Sequence, residues 1–358
     1  MSWLREHACA AIRWRTVHDV LPPGSVSHAD LDLLRAELLQ YGPVVQTIKK
    51  QKSDGTWGGN MLGLVAAKAQ GIKDVGTVSR YRHLVELGAP RSERAFQLTD
   101  RVLYRVLSRD DDPKLLFEYQ KPAKANPGLA VWARELLREA ATAALAHAGL
   151  VDDPRVRGAA HKILTNVSHF LRSDAAQKPI VRKGSRNILN PDAHPPSLFA
   201  IATLAYMSNV QRERAGLLER MGAYLGRSET KRSYTIIIGR KVLQPTFHFL
   251  GDPLQTDSAG NAKDLPFALH WIELLVRLGM LDESPVAKRI LARLIKDCDG
   301  QGVWSPKNLR SVPKGKSRLA DFAFPLESDN RNPEKRKADV TFRLALIAKL
   351  AGWELDFV

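Results

Sequence analysis

Along most of the chain apolar residues recur every three or four positions, the spacing of one helix face, and they almost never alternate. The pattern predicts helices over Ala29–Tyr41, Thr77–Leu87, Glu93–Leu107, Leu129–His147, Arg155–Arg172, Ser197–Met207, Arg212–Leu225, Pro266–Leu278, Pro285–Lys296 and Ala338–Leu350. Asp112-Pro113, Asp153-Pro154 and Ser284-Pro285 each set a capping residue before a first-turn proline, a helix-start signal. Gly88, Gly149 and Gly279 follow apolar helix ends, where a left-handed residue closes the last turn. Three stretches therefore repeat one unit: helix, glycine stop, short turn, helix. Such hairpins cannot bury their apolar faces alone and need neighbours. The segment Met1–Val20 has the spacing of an amphipathic helix and lacks the apolar stretch of a signal peptide. Segments 174–196 and 305–337 break the helical period, are rich in Pro, Lys, Arg, Ser and Asn, and read as long surface loops.

The turns carry a second signal. Gln51-Lys52-Ser53-Asp54-Gly55-Thr56-Trp57 fits the pattern QxxDGxW, and Asp299-Gly300-Gln301-Gly302-Val303-Trp304 is a looser copy. On these turns and the hairpin repeat the chain resembles the α/α-toroid family of terpenoid cyclases and protein prenyltransferases. The closing segment Asp339–Trp353 is similar to the last inner helix of such toroids. The resemblance implies an all-α fold over residues 1–358 as one domain, with the two basic segments as insertions. It does not imply the family's chemistry, because the turn itself is structural: glycine permits the bend and tryptophan packs between helix layers.

The family's catalytic motifs are absent. Asp297-Cys298-Asp299-Gly300 fails the DxDD pattern of protonating cyclases at its last position. Asp110-Asp111-Asp112 is followed by Pro113, Lys114 and Leu115, so the DDxxD pattern that holds Mg²⁺ also fails; these acids suit a helix N-terminus instead. No His follows His270, which removes the downstream zinc ligand of prenyltransferases. No metal or cofactor is expected. His161, His169 and His248 lie in apolar surroundings and read as hydrogen-bonded structural residues.

Two helices carry polar stripes. Trp132, Glu135, Glu139 and Thr142 share one face of Leu129–His147, and His270, Glu273 and Arg277 share one face of Pro266–Leu278. A carboxylate beside an aromatic ring inside a helical cavity is a general-base candidate with a raised pKa. The competing reading is a solvated face with ordinary Glu–Arg pairing. Glu135 with Trp132, Glu273 with His270, and Asp339 are the candidate pocket residues.

Composition then narrows the partner. The 358 residues are 44% apolar and 26% charged, enough for a sizeable core. Cys9 and Cys298 are the only cysteines, so no disulfide framework or CxxC module exists, and a reducing, cytoplasmic setting is expected. Lys and Arg outnumber Asp and Glu by 54 to 38, a net charge of +16. The excess is clustered. Lys178, Arg182, Lys183 and Arg186 form one group. Arg227, Lys231, Arg232, Arg240 and Lys241, opposed by Glu229, form another. Lys307, Arg310, Lys314, Lys316 and Arg318 form a third, and Arg331, Lys335, Arg336 and Lys337, opposed by Glu334, a fourth. Separated clusters suit an extended polyanion, with a solvated basic surface as the alternative. The loop Lys307–Arg318 is expected to be mobile and to contact phosphate. The sequence is read as that of a protein acting on double-stranded DNA, an enzyme excising a base as a glycosylase does. The alternatives are an isoprenoid enzyme without the usual motifs and a non-catalytic nucleic-acid-binding helical scaffold.

Overall fold

Helix boundaries follow the capping chemistry. The computed structural model describes residues 2–63, 75–109, 112–228, 233–329 and 331–354, and most of them are helical. Asp110, Asp111, Glu229, Lys231 and Arg232 lie outside the described residues. The helices are α1 (Ser2–His7), α2 (Ala10–Arg15), α3 (His28–Gln40), α4 (Gly42–Lys49), α5 (Thr77–Glu86), α6 (Arg94–Ser108), α7 (Gln120–Ala123), α8 (Pro127–His147), α9 (Pro154–Leu171), α10 (Leu198–Tyr206), α11 (Ser208–Glu213), α12 (Ala215–Leu225), α13 (Leu265–Arg277), α14 (Pro285–Lys296) and α15 (Lys335–Leu350). Asp153 accepts the Arg155 N–H at 2.9 Å and Ser284 accepts the Ala287 N–H at 3.0 Å, so both proline starts are capped. At the other ends Gly88, Gly149 and Gly279 all have positive φ. The next amide reaches back to close each helix: Ala89 to Leu84, Leu150 to Leu145 and Met280 to Leu275.

The contacts divide the chain into two compact units. One comprises Met1–Gln51, Arg80–Glu93 and Leu254–Val358; the other comprises Lys52–Ser79 and Arg94–Pro253. In the first unit α13 and α15 pack together, and both are buried on all sides rather than along one stripe. In the second, α8 and α10 pack together, with α6 and α9 against α8. The alanines at 140, 141, 143, 144 and 146 are buried and leave room for that approach.

The tryptophan turns recur in both units with one bonding scheme. In the second unit Asp54 accepts the Thr56 N–H, and the amide of the fully buried Trp57 donates to Thr77 Oγ1 at 3.0 Å. In the first, Asp299 accepts the Gln301 and Val303 amides, and the Trp304 amide donates to Thr341 Oγ1 at 3.1 Å. Gly55, at φ +84°, lies on the backbone of α6, where a Cβ would stand 2.6 Å from Leu98 O. Gly55→Ala combines a left-handed alanine with a backbone clash, and is expected to cost about 2–4 kcal/mol in urea unfolding. A loss below about 0.5 kcal/mol would show that the turn is not rigid.

The structure corrects several sequence expectations. Segment 174–196 is not an open loop. It contains β1 (Ile180–Lys183) and β2 (Arg186–Leu189), paired antiparallel, with Ala175, Ala176, Leu189 and Ala193 buried. A second hairpin, β3 (Ile236–Ile238) with β4 (Lys241–Leu243), follows; the parallel bridge Ile188–Thr235 joins the two. Segment 305–337 is partly core: Val312, Ala320, Phe322, Phe324 and Leu326 are buried, and α15 begins at Lys335. Its apolar residues follow neither helical nor strand spacing, so periodicity could not reveal their burial. The N-terminal segment is helical but broken at Cys9, whose backbone is extended. The predicted helix 212–225 breaks at Arg214, whose guanidinium bonds to His161 and Thr165. Asp112 does cap, but it caps a 3₁₀ turn.

Candidate functional site

The long helix α8 builds the site. Asn126 accepts the Leu129 N–H, and Pro127 pre-sets the first turn. Three residues of the polar stripe, Trp132, Glu135 and Glu139, then line one cavity of about 650 Å³ in the second unit. Thr142, further along the stripe, is buried and turned onto the Arg138 carbonyl. The opposite walls come from α9, through Asn166 and His169, from the strand-following stretch Leu189–Pro195, and from Ile236–Ile238 and His248.

Glu139 is the distinctive group. Burial, more than its neighbour Glu135, pushes its carboxyl up to about 7, although Ser197 Oγ donates to it. That same Ser197 hydroxyl accepts the Ala200 N–H as the cap of α10, so a helix start fixes the carboxyl's position. Glu135, one turn away on α8, is exposed at the mouth. Trp132, on the same face of α8, meets Tyr119 ring edge to face at 5.8 Å. Burial lowers His248 to about 4, with His194 adding to the shift, so its ring is neutral near pH 7. The cavity therefore combines a carboxyl that holds its proton near neutrality, a second carboxyl on the same face, a neutral imidazole and an aromatic ring.

Two basic hairpin tips flank the cavity wall. Arg182, Lys183 and Arg186 surround the β1–β2 tip, and Arg240 and Lys241 the β3–β4 tip. Because β2 and β3 run parallel across the Ile188–Thr235 bridge, the tips point to opposite ends of the layer. At strand rise they are about 20 Å apart. The second tip is tied to the start of α8, since Asn126 Nδ2 donates to Ile238 O at 2.9 Å.

The first unit treats its candidates differently. Glu273 accepts from Arg277 at 2.9 Å and from Arg343 at 3.0 Å, both on carboxylate oxygens sealed from solvent. Burial alone would raise its pKa, but the two guanidiniums hold it well below the usual carboxylate range. Arg343 also reaches Glu86 at 2.6 Å, and Arg15 pairs with Glu86. The result is a buried chain of alternating charges, Arg277–Glu273–Arg343–Glu86–Arg15. His270 is pushed down to about 3 by burial and by Arg82, and stacks edge-on to Phe322 at 5.0 Å. Asp339 accepts the Leu326 and Glu327 amides, while burial raises it to about 6. Glu273 thus lacks the raised pKa expected of a base, because Arg277 and Arg343 outweigh its burial. Asp339 holds a loop.

The basic clusters of this unit are mixed. Lys316 and Ser317 donate backbone amides to Asp264, the cap of α13, so the stretch expected to be mobile is anchored there. Arg318 lies close enough to Asp321 to oppose the upward shift of that carboxyl. Lys335 pairs with Asp329 and Lys337 with Glu334, while Arg336 donates to the Arg331 carbonyl. Among the described residues Arg310 and Lys314 have no such partner, and Lys307 borders a separate cleft.

Periodicity found Trp132 and Glu135 and placed Glu139 beside them. It missed His194, and it set His169 and His248 aside as structural residues although both line the cavity. Asp297 and Asp299 behave as turn and pairing residues. Among the described residues no cluster of His, Cys, Asp and Glu is placed to hold a metal ion, and no helix is long and apolar enough to cross a membrane. No family model, curated protein or solved structure matches the chain.

Proposed function

We propose that the protein hydrolyses a glycosidic bond of a nucleotide in double-stranded DNA, on a helical frame of α/α-toroid type. The observation that carries the reading is the α8 cavity: Glu139 protonated near neutrality, one turn from Glu135 and beside Trp132, between two basic tips. The frame is supported by the shared bonding scheme of the two tryptophan turns and by the glycine-closed hairpins.

A base in a duplex must leave the stack to be cut, and an aromatic ring such as Trp132 offers it a new stacking partner. Glu139 gives its proton to the departing base as the bond from the base nitrogen to the sugar C1′ breaks. Glu135 takes a proton from water as the water oxygen bonds to C1′. One acid and one base on a common face is the division of labour that glycoside hydrolysis uses. The tips at Arg182, Lys183, Arg240 and Lys241 hold the backbone on either side.

Two measurements test this. Wild-type protein incubated with duplexes carrying modified bases is expected to leave abasic sites that break under alkali. Replacing Arg182, Lys183, Arg240 and Lys241 by Ala is expected to flatten the slope of log affinity against log salt. Each lost phosphate contact removes up to about 0.9 from that slope. No duplex binding by the wild type at low salt would end the DNA reading; an unchanged slope in the variant would move the interface elsewhere.

A further inference from the structure

The first unit contains a cleft of about 720 Å³ that the proposed reaction does not use. Its floor is apolar, formed by Leu265, Ile290, Leu294 and Trp304. Three of these are buried core residues of their own elements, so the floor is fixed before anything binds. One wall is the turn 257–261, in which Asp257 accepts the Ala259 and Asn261 amides and the Asn261 side chain. That wall is stitched to α14 by Arg293, which donates to Asn261 Oδ1 and to Asp297.

The rim has unused charge. Asp297, the one acid on the lining, is already held by Arg293 at 2.8 Å. Lys296 and Lys307 border the cleft, are exposed, and have no carboxylate partner among the described residues. The Asn308 amide, beside Lys307, is exposed and uncommitted as well. In the floor the buried indole N–H of Trp304 has no acceptor among the described residues. An unmade buried donor is costly and calls for a partner. Donors in surplus over acceptors, above an apolar floor, fit a ligand with a flat apolar body and an anionic oxygen head. The cleft volume is in the range of small-molecule sites.

We infer that this cleft binds a free mononucleotide, its ring on the floor by Leu294 and Trp304 and its phosphate between Lys296 and Lys307. The inference is independent of the α8 cavity: either can fail without the other. Apolar floor and cationic rim together distinguish a nucleotide from phosphate alone, which would gain nothing from Leu265, Ile290 and Leu294.

Titration calorimetry with each of the four ribonucleoside monophosphates, with adenosine and with inorganic phosphate tests the assignment. At least one monophosphate should bind the wild type at least about tenfold more tightly than inorganic phosphate or adenosine. Lys296→Ala with Lys307→Ala should weaken that binding by at least about tenfold, since charge-assisted hydrogen bonds are lost from an exposed rim without disturbing the fold. Arg310→Ala with Lys314→Ala, neighbours off the cleft, should leave it within about twofold. Three results would each overturn the assignment: no monophosphate binds, inorganic phosphate binds as tightly, or the off-cleft pair weakens binding equally.

Discussion

Arg343→Met is expected to lower the stability of the protein by about 3–5 kcal/mol, the largest single loss we foresee. Arg343 donates to Glu273 at 3.0 Å, to Glu86 at 2.6 Å and to the Ala323 carbonyl, and it is 2% exposed. Removing it takes away the guanidinium that bridges two buried carboxylates, Glu273 and Glu86. Methionine fills similar volume, so the loss reports charge rather than a cavity. Differential scanning calorimetry should show a fall of roughly 6–20 °C, from about 2–4 °C per kcal/mol for a domain of this size. A shift under about 2 °C would mean that the outer arginines compensate, and that the network is not the unit it looks like.

The same network fixes a pH dependence. Arg277 and Arg343 overcome burial and depress the Glu273 pKa in the folded state. Its contribution is therefore present above the unfolded value of 4.5 and is lost as the pH falls through the folded value. In the Arg343→Met protein that acid loss should start at higher pH, because one of the two depressing charges is gone.

The parts of this molecule that were legible in the sequence are those governed by local interactions. Asp153 and Ser284 cap residues two and three positions ahead, and Gly88, Gly149 and Gly279 close helices whose last turns are adjacent in sequence. Trp132, Glu135 and Glu139 share a face because the helix repeat makes them do so. The rest depended on partners far along the chain. Glu273 looks the same in sequence whether its stripe meets water or Arg343, seventy residues later. The strands at 180–189 and 236–243 are three or four residues each, too short to alternate visibly, and their basic tips read as loop. Phe322 and Phe324 are buried by irregular backbone, which no periodicity describes. Glu273 and Asp339, the candidate bases of the first unit, are held instead in an ion-pair network and a loop contact. Glu139 was visible on its stripe, but the Ser197 contact and the burial that mark it out were not.

Glu139→Gln is expected to remove base release by roughly a hundred- to ten-thousand-fold, the worth of a positioned general acid. The wild-type rate should fall as the pH rises through about 7, where the carboxyl loses its proton. The residual rate of the variant should lack that alkaline limb, because an amide does not titrate. Stability gives a second readout that needs no substrate. The Glu139 pKa rises from 4.5 in a free side chain to about 7 in the fold, chiefly through burial. Below the lower value both states hold the proton and folding is unaffected. As the pH climbs between the two, the folded state must either keep a proton or bury a charge, and stability falls by roughly 3 kcal/mol by the upper value. The glutamine variant escapes this penalty. Its melting temperature should match the wild type near pH 4 and exceed it near pH 8. A difference that does not change with pH would show that the carboxyl is not shifted, and the acid would have to be sought elsewhere in the cavity. A pH-dependent gain with undiminished base release would keep Glu139 as a buried, protonated group and strip it of the catalytic role.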